Sequence, residues 1–344
     1  MYEIGIATIR PLHGNGLHSR SEPRAANTQR ESTADPAFRA DVLRGLQRSP
    51  KAIPARWFYD HRGSELFERI TRLSEYYPSR AERGILRRHA SAIGELTGEG
   101  RVVVEFGSGS CAKTPVLLSA VEPSAYVPID ISGSYLRESS DKLAALFPHL
   151  KICQIEADFT LSLHLPEFDG APRLGFFPGS TIGNLVPEAA TKLLLAISRT
   201  LGPGAQLLIG IDAAKGKEIL IPAYDDAQGV TAQFNLNLLR RINRELEGTM
   251  PLEAFAHVVR WNDFESRIEM HLQARRAVAF EVAGVPFRMG AGETIHTENS
   301  TKYGLRDARV LLRCGGWSPV GEWSDPAGWF TVFLAQATPP HEAP

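Results

Sequence analysis

The stretch Val102-Val103-Val104-Glu105-Phe106-Gly107-Ser108-Gly109-Ser110, followed by a helical run from Lys113 to Ala120, decides the fold. An apolar β-branched run that ends in a glycine turn and opens into a helix leaves bare backbone N–H groups at the carboxyl edge of a sheet. A nucleotide-like ligand is held at such an edge. Only one G-x-G spacing is present. A dinucleotide fingerprint continues to a third glycine two or three residues on, whereas here Cys111-Ala112-Lys113-Thr114 follow, so the turn is wider than one that binds a pyrophosphate. The spacing favours a mononucleoside such as S-adenosylmethionine over a nicotinamide dinucleotide.

The next strand ends support this. Ala125 to Ile129 reads as a second strand that closes on Asp130, about 20 residues past the glycines, from where a carboxylate reaches ribose hydroxyls. A third apolar segment, Ile152 to Ile155, leads to Asp158-Phe159, a carboxylate and an aromatic ring suited to an adenine amino group and ring face. Each aspartate alone also reads as a helix N-cap or turn residue. Three successive strand ends with fitting chemistry favour the nucleoside site.

From Val102 to about Asp212 strands alternate with helices, the pattern of a parallel sheet covered on both faces, with further strands at Leu174–Phe177 and Gln206–Ile211. The segment Pro178 to Asn184 carries Gly179 and Gly183, which let a backbone approach a ligand closely or simply make a turn. Before this block the spacing is helical: Phe38, Val42, Leu43 and Leu46 form one stripe, Leu66, Phe67 and Ile70 another, and Ile85, Leu86, His89, Ile93 and Leu96 a third. Two aromatic clusters, Trp57-Phe58-Tyr59 and Tyr76-Tyr77, sit in loops or helix ends, where core packing is the commoner role. After Asp212 a long helix is predicted at Ala232–Leu246, then antiparallel strands around Ala254–Trp261, Ser266–Ala274 and Val278–Phe287. A helix at Tyr303–Leu312 and a strand at Trp329–Leu334 return the chain to the first sheet. Residues 1–35 read as a flexible leader without hydrophobic period.

The chain has 344 residues, 38 basic against 39 acidic, so the balance argues against a nucleic-acid surface. No apolar run approaches the ~20 residues of a membrane span, and no signal-peptide core is evident; a soluble, cytoplasmic, monomeric protein is expected, with no membrane partner and no metal site. The three cysteines are widely spread, lack metal-ligand spacing and read as reduced. Cys111, in the glycine turn, is the one expected to be a partly exposed thiol.

Longer motifs are then familiar. Phe58-Tyr59-Asp60 with Gly63-Ser64, Glu75 to Glu82, Gly179 to Asn184, Ala223 to Asp226 with Gly229 to Ala232, Phe234 to Asn237, Arg267 to Met270 and Thr297 to Tyr303 resemble the histidine-specific α-N-methyltransferases of ergothioneine biosynthesis. The likeness runs from about residue 38 to 336. It implies an α/β, Rossmann-like class I methyltransferase with a doubly wound sheet and an inserted, discontinuous α+β substrate-binding lobe. The lobe would comprise residues 36–80 plus 213–300, and the S-adenosylmethionine-binding domain residues 81–212 plus 301–338. It further implies trimethylation of the α-amino group of L-histidine to hercynine. The matching donor-site residues are Gly107, Lys113, Asp130, Asp158 and Phe159. On the acceptor side Tyr76, Gly179, Asn184, Tyr224, Met270, Glu298 and Ser300 match substrate-binding positions, and Tyr59 is the candidate catalytic residue. The chain departs from the family's Asp-Leu-Val-Lys-Asp-like stretch at Asp212-Ala213-Ala214-Lys215-Gly216. The rival readings are a methyltransferase for another amino acid or histidine derivative, and a non-catalytic sensor of histidine or S-adenosylmethionine.

Overall fold

A computed structural model of the protein describes residues 35–338 apart from Ser110, Ser162 and Asp169. The expected leader lies outside the described residues except for its last, Asp35, which is instead the N-cap of α1 (Pro36–Gln47) and accepts the Ala37 N–H at 2.8 Å. A two-residue strand β1 (Lys51–Ala52) and a 3₁₀ turn at Ala55–Phe58 lead to α2 (His61–Ile70), capped by Asp60. The third predicted stripe is two helices, α3 (Tyr77–Arg88) and α4 (Ala90–Thr97), because His89 leaves the helical backbone region at φ −112° and ψ 16°.

The alternating block follows as β2 (Val102–Phe106), α5 (Thr114–Val121), β3 (Ala125–Asp130) and α6 (Gly133–Leu146). The third strand predicted at 152–155 is two short pairings on the same edge of β3, β4 (Lys151–Ile152) and β5 (Ile155–Glu156). Then come β6 (Arg173–Phe177), a 3₁₀ turn at Thr181–Asn184, α7 (Pro187–Leu201) and β7 (Gln206–Asp212). Every residue of β2 and β7 is buried, as a central strand covered on both faces requires.

The chain continues through α8 (Lys217–Tyr224), which the sequence reading missed, α9 (Val230–Glu245), β8 (Phe255–Asn262) and β9 (Arg267–Ala274). The segment predicted as one strand at 278–287 is a hairpin of β10 (Val278–Val282) and β11 (Val285–Met289), whose two turn residues, Ala283 and Gly284, both have positive φ. A further strand, β12 (Thr294–Thr301), precedes α10 (Leu305–Cys314), β13 (Trp317–Ser324) and β14 (Phe330–Ala337).

The eight-stranded sheet has the order β13-β14-β7-β6-β2-β3-β4, with β5 also on β3. Strands β2 to β7 within it are parallel, and β14 and β13 close one edge antiparallel. Strand order reverses between β2 and β6, so ligands are expected outside their carboxyl ends. One face of this sheet packs Val104, Phe106, Leu194 and Ile209, and the other packs Val103, Leu118, Phe176 and Leu334. A four-stranded sheet, β1-β12-β9-β8, has its own apolar cluster with Phe38, Phe58, Phe234, Leu239 and Met270. Among the described residues no helix is long and apolar enough to cross a membrane.

Candidate active site

The glycine turn after β2 is built as the spacing requires. Gly107 has φ +73°, a conformation side-chain-bearing residues rarely adopt, and a Cβ there would stand 3.3 Å from the ring of Phe159, close enough that the ring would have to give by a few tenths of an ångström. Phe159 packs against Phe177 at 5.6 Å between centroids and against Phe106 at 6.4 Å. At the end of β3 the Asp130 carboxylate accepts the N–H groups of Gly109 and Ser132, both at 2.9 Å. Burial raises its pKa, opposed by those same N–H groups. Asp158 is a turn residue as well: its Oδ1 accepts the Thr160 N–H at 2.9 Å, and its Oδ2 pairs with Arg56 at 2.5 Å. Cys111 corrects its expectation. The residue is buried, its Sγ is 3.6 Å from the Tyr126 hydroxyl, and burial with the nearby Glu105 carboxylate pushes the thiol up to about 12. It is an inert packing thiol.

On the acceptor side a β-bulge decides what faces the cleft. In the β12/β9 ladder Ile295 opposes Leu272 and His296 opposes His271, but Glu298, not Thr297, opposes Met270. Directly opposed residues share a face, so the extra residue moves Glu298 and Ser300 onto the side that carries Leu272, Met270 and Ile268. In an unbulged register Glu298 would oppose Glu269 on the other face. The bulge is pinned from α9: the buried Thr297 hydroxyl lies 2.9 Å from Asn235 Oδ1 and 3.0 Å from the Met270 carbonyl. The Glu298 side chain makes no hydrogen bond among the described residues. Burial raises its carboxyl to about 8, against the opposing pull of Lys302.

Aromatic rings surround this face. Tyr59 is edge-on to Phe67 at 5.7 Å and to Phe234 at 5.8 Å, and Tyr76 is edge-on to Tyr224 at 6.1 Å. Burial, followed by the fields of Glu298, Tyr76, Asp130 and Tyr224, raises the Tyr59 phenol well above its usual value. One ring thus senses carboxylates of both the acceptor face and the nucleoside edge. The Tyr224 hydroxyl is 2.6 Å from Ser300 Oγ. Asn184 ends the 3₁₀ turn after β6, half-buried and without a side-chain hydrogen bond among the described residues.

Several functional-looking residues escaped sequence reading. Glu82 of α3 is wholly buried, accepts the Gly179 N–H and pairs with Lys113. It thereby ties Lys113, expected at the donor, to Gly179, expected at the acceptor. Gly183 serves packing rather than a ligand, because a Cβ there would meet the Thr301 carbonyl oxygen at 2.7 Å. Asp212, at the end of β7, is buried, accepts from Tyr77 Oη and Lys215 Nζ, and forms an ion pair with Lys302 Nζ. No spacing announces these groups, since their partners lie as far as 135 positions away in the chain.

The strand order, the glycine turn at the first strand end and the acidic residue at the second define a class I methyltransferase fold with its nucleoside edge at β2, β3 and β5. A bare glycine turn under an aromatic ring, with a carboxylate one strand over, fits the adenosine part of S-adenosylmethionine. The sequence profile of the family described as histidine-specific methyltransferase, SAM-dependent, matches residues 38–337, and the chain belongs to that family. It is 41% identical over 316 residues to a histidine N-alpha-methyltransferase of Mycolicibacterium smegmatis, covering 90% of this chain and 98% of that one. A histidine N-alpha-methyltransferase of Mycobacterium tuberculosis is 41% identical over 317 residues, with the same coverage. Ergothioneine biosynthesis protein 1 of Neurospora crassa is 30% identical over 282 residues, 80% of this chain and 32% of that longer one. The protein is therefore an S-adenosylmethionine-dependent methyltransferase acting on histidine.

Proposed function

We propose that the chain transfers three methyl groups in succession to the α-nitrogen of L-histidine, giving the trimethyl betaine hercynine, the entry step of ergothioneine biosynthesis. The observation that carries this reading is the bulge at Thr297, which turns Glu298 and Ser300 onto one face beside three tyrosines. A carboxyl group and a hydroxyl two residues apart on that face match the two nitrogens of an imidazole, and no aliphatic side chain offers such a pattern. Asn184 and the Tyr224 hydroxyl are the donors for the substrate carboxylate. Tyr76, Gly179 and Met270 line the acceptor pocket, while Gly107, Lys113, Asp130, Asp158 and Phe159 hold the donor. In this reading residues 36–80 with 213–300 form the substrate-binding lobe, residues 81–212 with 301–338 bind the donor, and the protein works as a monomer.

When bound, S-adenosylmethionine supplies a methyl group on a sulfonium centre whose sulfur leaves neutral. The protein aligns the amine with that carbon and keeps water out; reacting atoms held about 3–3.5 Å apart account for much of the rate. Tyr59 stays a neutral phenol, because burial and neighbouring carboxylates oppose its ionisation. It accepts a hydrogen bond from the amine and orients its lone pair, rather than acting as a base. As methyl groups accumulate, the faces of Tyr59 and Tyr76 favour the growing cation by about 0.5–2 kcal/mol.

Purified protein, S-adenosylmethionine and L-histidine are followed by mass spectrometry. Successive products with one, two and three added methyl groups on the main-chain nitrogen are expected. Ring methylation, or no S-adenosylhomocysteine release despite binding of both ligands, would overturn the reading in favour of another acceptor or of a sensor.

A further inference from the structure

Lys302 has no part in the reading above, yet its ammonium is fully buried and reaches Asp212 Oδ2, Tyr224 Oη and Ser300 Oγ, each at 2.7 Å. An ammonium has three N–H groups and no lone pair: one goes to each hydroxyl, and the charge is balanced by the Asp212 carboxylate as an ion pair. Tyr224 Oη and Ser300 Oγ stand 2.6 Å apart and share one more hydrogen bond. Each hydroxyl oxygen carries one hydrogen and two lone pairs. Lys302 takes a lone pair from each, and the bond between them takes a third. One hydroxyl is left with a hydrogen and no lone pair, and its neighbour with a lone pair and no hydrogen. The pair can show the cleft only one donor and one acceptor.

Under the proposed function, on which this step rests, the Tyr224 hydrogen goes to the substrate carboxylate. Its oxygen then accepts from both Lys302 and Ser300, and Ser300 is left as an acceptor alone. We propose that Lys302, anchored by Asp212, is a positioning residue that fixes Ser300 as an acceptor, so that histidine is bound with both ring nitrogens protonated, one donating to Ser300 and the other to Glu298. The groups whose fields reach Glu298 or the tyrosines around it are Tyr59 beside α2, Tyr76 before α3, Tyr224 of α8, Lys302 after β12 and the carboxylates Asp130, Asp212 and Glu82 at the ends of β3 and β7 and in α3. Of the charged ones Lys302 acts on Glu298 itself, and Asp212 pairs with it. Glu298 is thus free to be the ring's counter-ion.

The proton balance supplies a catalytic consequence. Histidine near neutral pH carries an α-ammonium and a neutral ring. Breaking one N–H bond at the α-nitrogen and forming one at the ring, through solvent, leaves the proton count unchanged. The amine becomes a nucleophile and the ring a cation, with no protein base consumed. After each transfer the new ammonium returns its proton to water before the next.

L-Histidine labelled with ¹⁵N in the ring, bound to the full chain with S-adenosylhomocysteine at pH 8, tests this by NMR, because the free ring, with a pKa of about 6.5, is then neutral. Both ring nitrogens are expected at protonated shifts in the native protein. In Lys302→Met one of them is expected to move to the bare-nitrogen range, with histidine binding roughly tenfold weaker and S-adenosylhomocysteine binding retained. Where Lys302→Met does not fold, the pair Lys302→Met with Asp212→Asn removes both buried charges together and is measured instead. One bare ring nitrogen in the native complex, or the same two protonated nitrogens in the variant, overturns the proposal while leaving histidine as substrate. Failure of the native protein to bind histidine while it binds S-adenosylhomocysteine overturns the proposed function and this inference with it.

Discussion

Glu298 shows how one residue can be held at a cost for the sake of a ligand. Its carboxyl lies at about 8 in the folded protein against an ordinary value of 4.5, and burial is the cause. The folded state therefore holds the proton more tightly than the unfolded one. The associated stability is present below about 4.5 and is lost as pH rises through 8. Glu298→Gln is expected to melt progressively above the native protein from pH 5 to 8.5, by as much as a few kcal/mol at the alkaline end, and to lose histidine turnover. Melting of the ligand-free proteins at the two pH values checks this; an unchanged difference between them would refute it. Gly107 makes a second case. An alanine there must hold φ +73°, which costs about 1–2 kcal/mol for a residue with a side chain, and must stand 3.3 Å from the Phe159 ring. Gly107→Ala is expected to weaken S-adenosylmethionine binding more than tenfold in calorimetry and to change histidine KM little at saturating donor. Glu298, Ser300 and Gly107 were legible because they belong to long motifs or to a turn whose spacing has a mechanism. Lys302 and Glu82 lie in the same motifs, yet their roles, like those of Asp212 and Arg56, were not legible, because a charged residue carries no periodicity and its partner is fixed only by the fold.

Among the elements the sequence reading overlooked, β12 is the one the site depends on. Its inward positions include Glu298 and Ser300, and the bulge breaks the two-residue period, so neither hydrophobicity nor alternation marks Thr294–Thr301 as a strand. The strands β2, β3, β6 and β7 were legible for the opposite reason: their continuous apolar runs are what burial on both sheet faces demands. α8 escapes sequence patterning because Pro222 lies inside it, and the 278–287 segment reads as one strand because the Ala283-Gly284 turn lacks the usual Asn or Asp signal. The bulge itself hangs on the Thr297 hydroxyl, held by Asn235 and the Met270 carbonyl. Thr297→Val keeps the shape and removes that bond, leaving the Asn235 amide oxygen unsatisfied in a buried position. A loss of about 1–3 kcal/mol in denaturant unfolding is expected, with histidine KM rising several-fold and donor affinity unchanged. An unaltered KM would show that strand pairing alone holds the bulge.

At the scale of the molecule the chain passes between its two sheets at Tyr76-Tyr77, at Asp212 to Gly216 and at Thr301 to Gly304, and these passages meet at one carboxylate. Asp212 binds Tyr77, Lys215 and Lys302 through its side chain, and its carbonyl accepts the Tyr303 N–H at 3.0 Å. A second tie lies at the rim. Arg56, in the 3₁₀ turn beside the four-stranded sheet, pairs with Asp41 of α1 at 2.7 Å and with Asp158, after β5 of the eight-stranded sheet, at 2.5 Å. Its two acidic partners raise the guanidinium pKa against the effect of burial, so it stays a cation at any working pH. Asp158 Oδ1 is committed to Thr160, so Arg56 holds the remaining oxygen and with it the orientation of the loop that carries Phe159. Arg56→Met removes the tie, together with the guanidinium that lies 4.7 Å over the Trp57 ring. The loop then loses the contact that aligns Phe159 over the glycine turn. S-Adenosylmethionine affinity is expected to fall several-fold by calorimetry, whereas histidine KM at saturating donor stays near native. Because the bridge is about a third exposed on the Arg56 side, raising salt should weaken donor binding to the native protein and leave the variant almost unaffected. Tighter donor binding in the variant would reverse the assignment, making Arg56 a competitor that adenine must displace from Asp158.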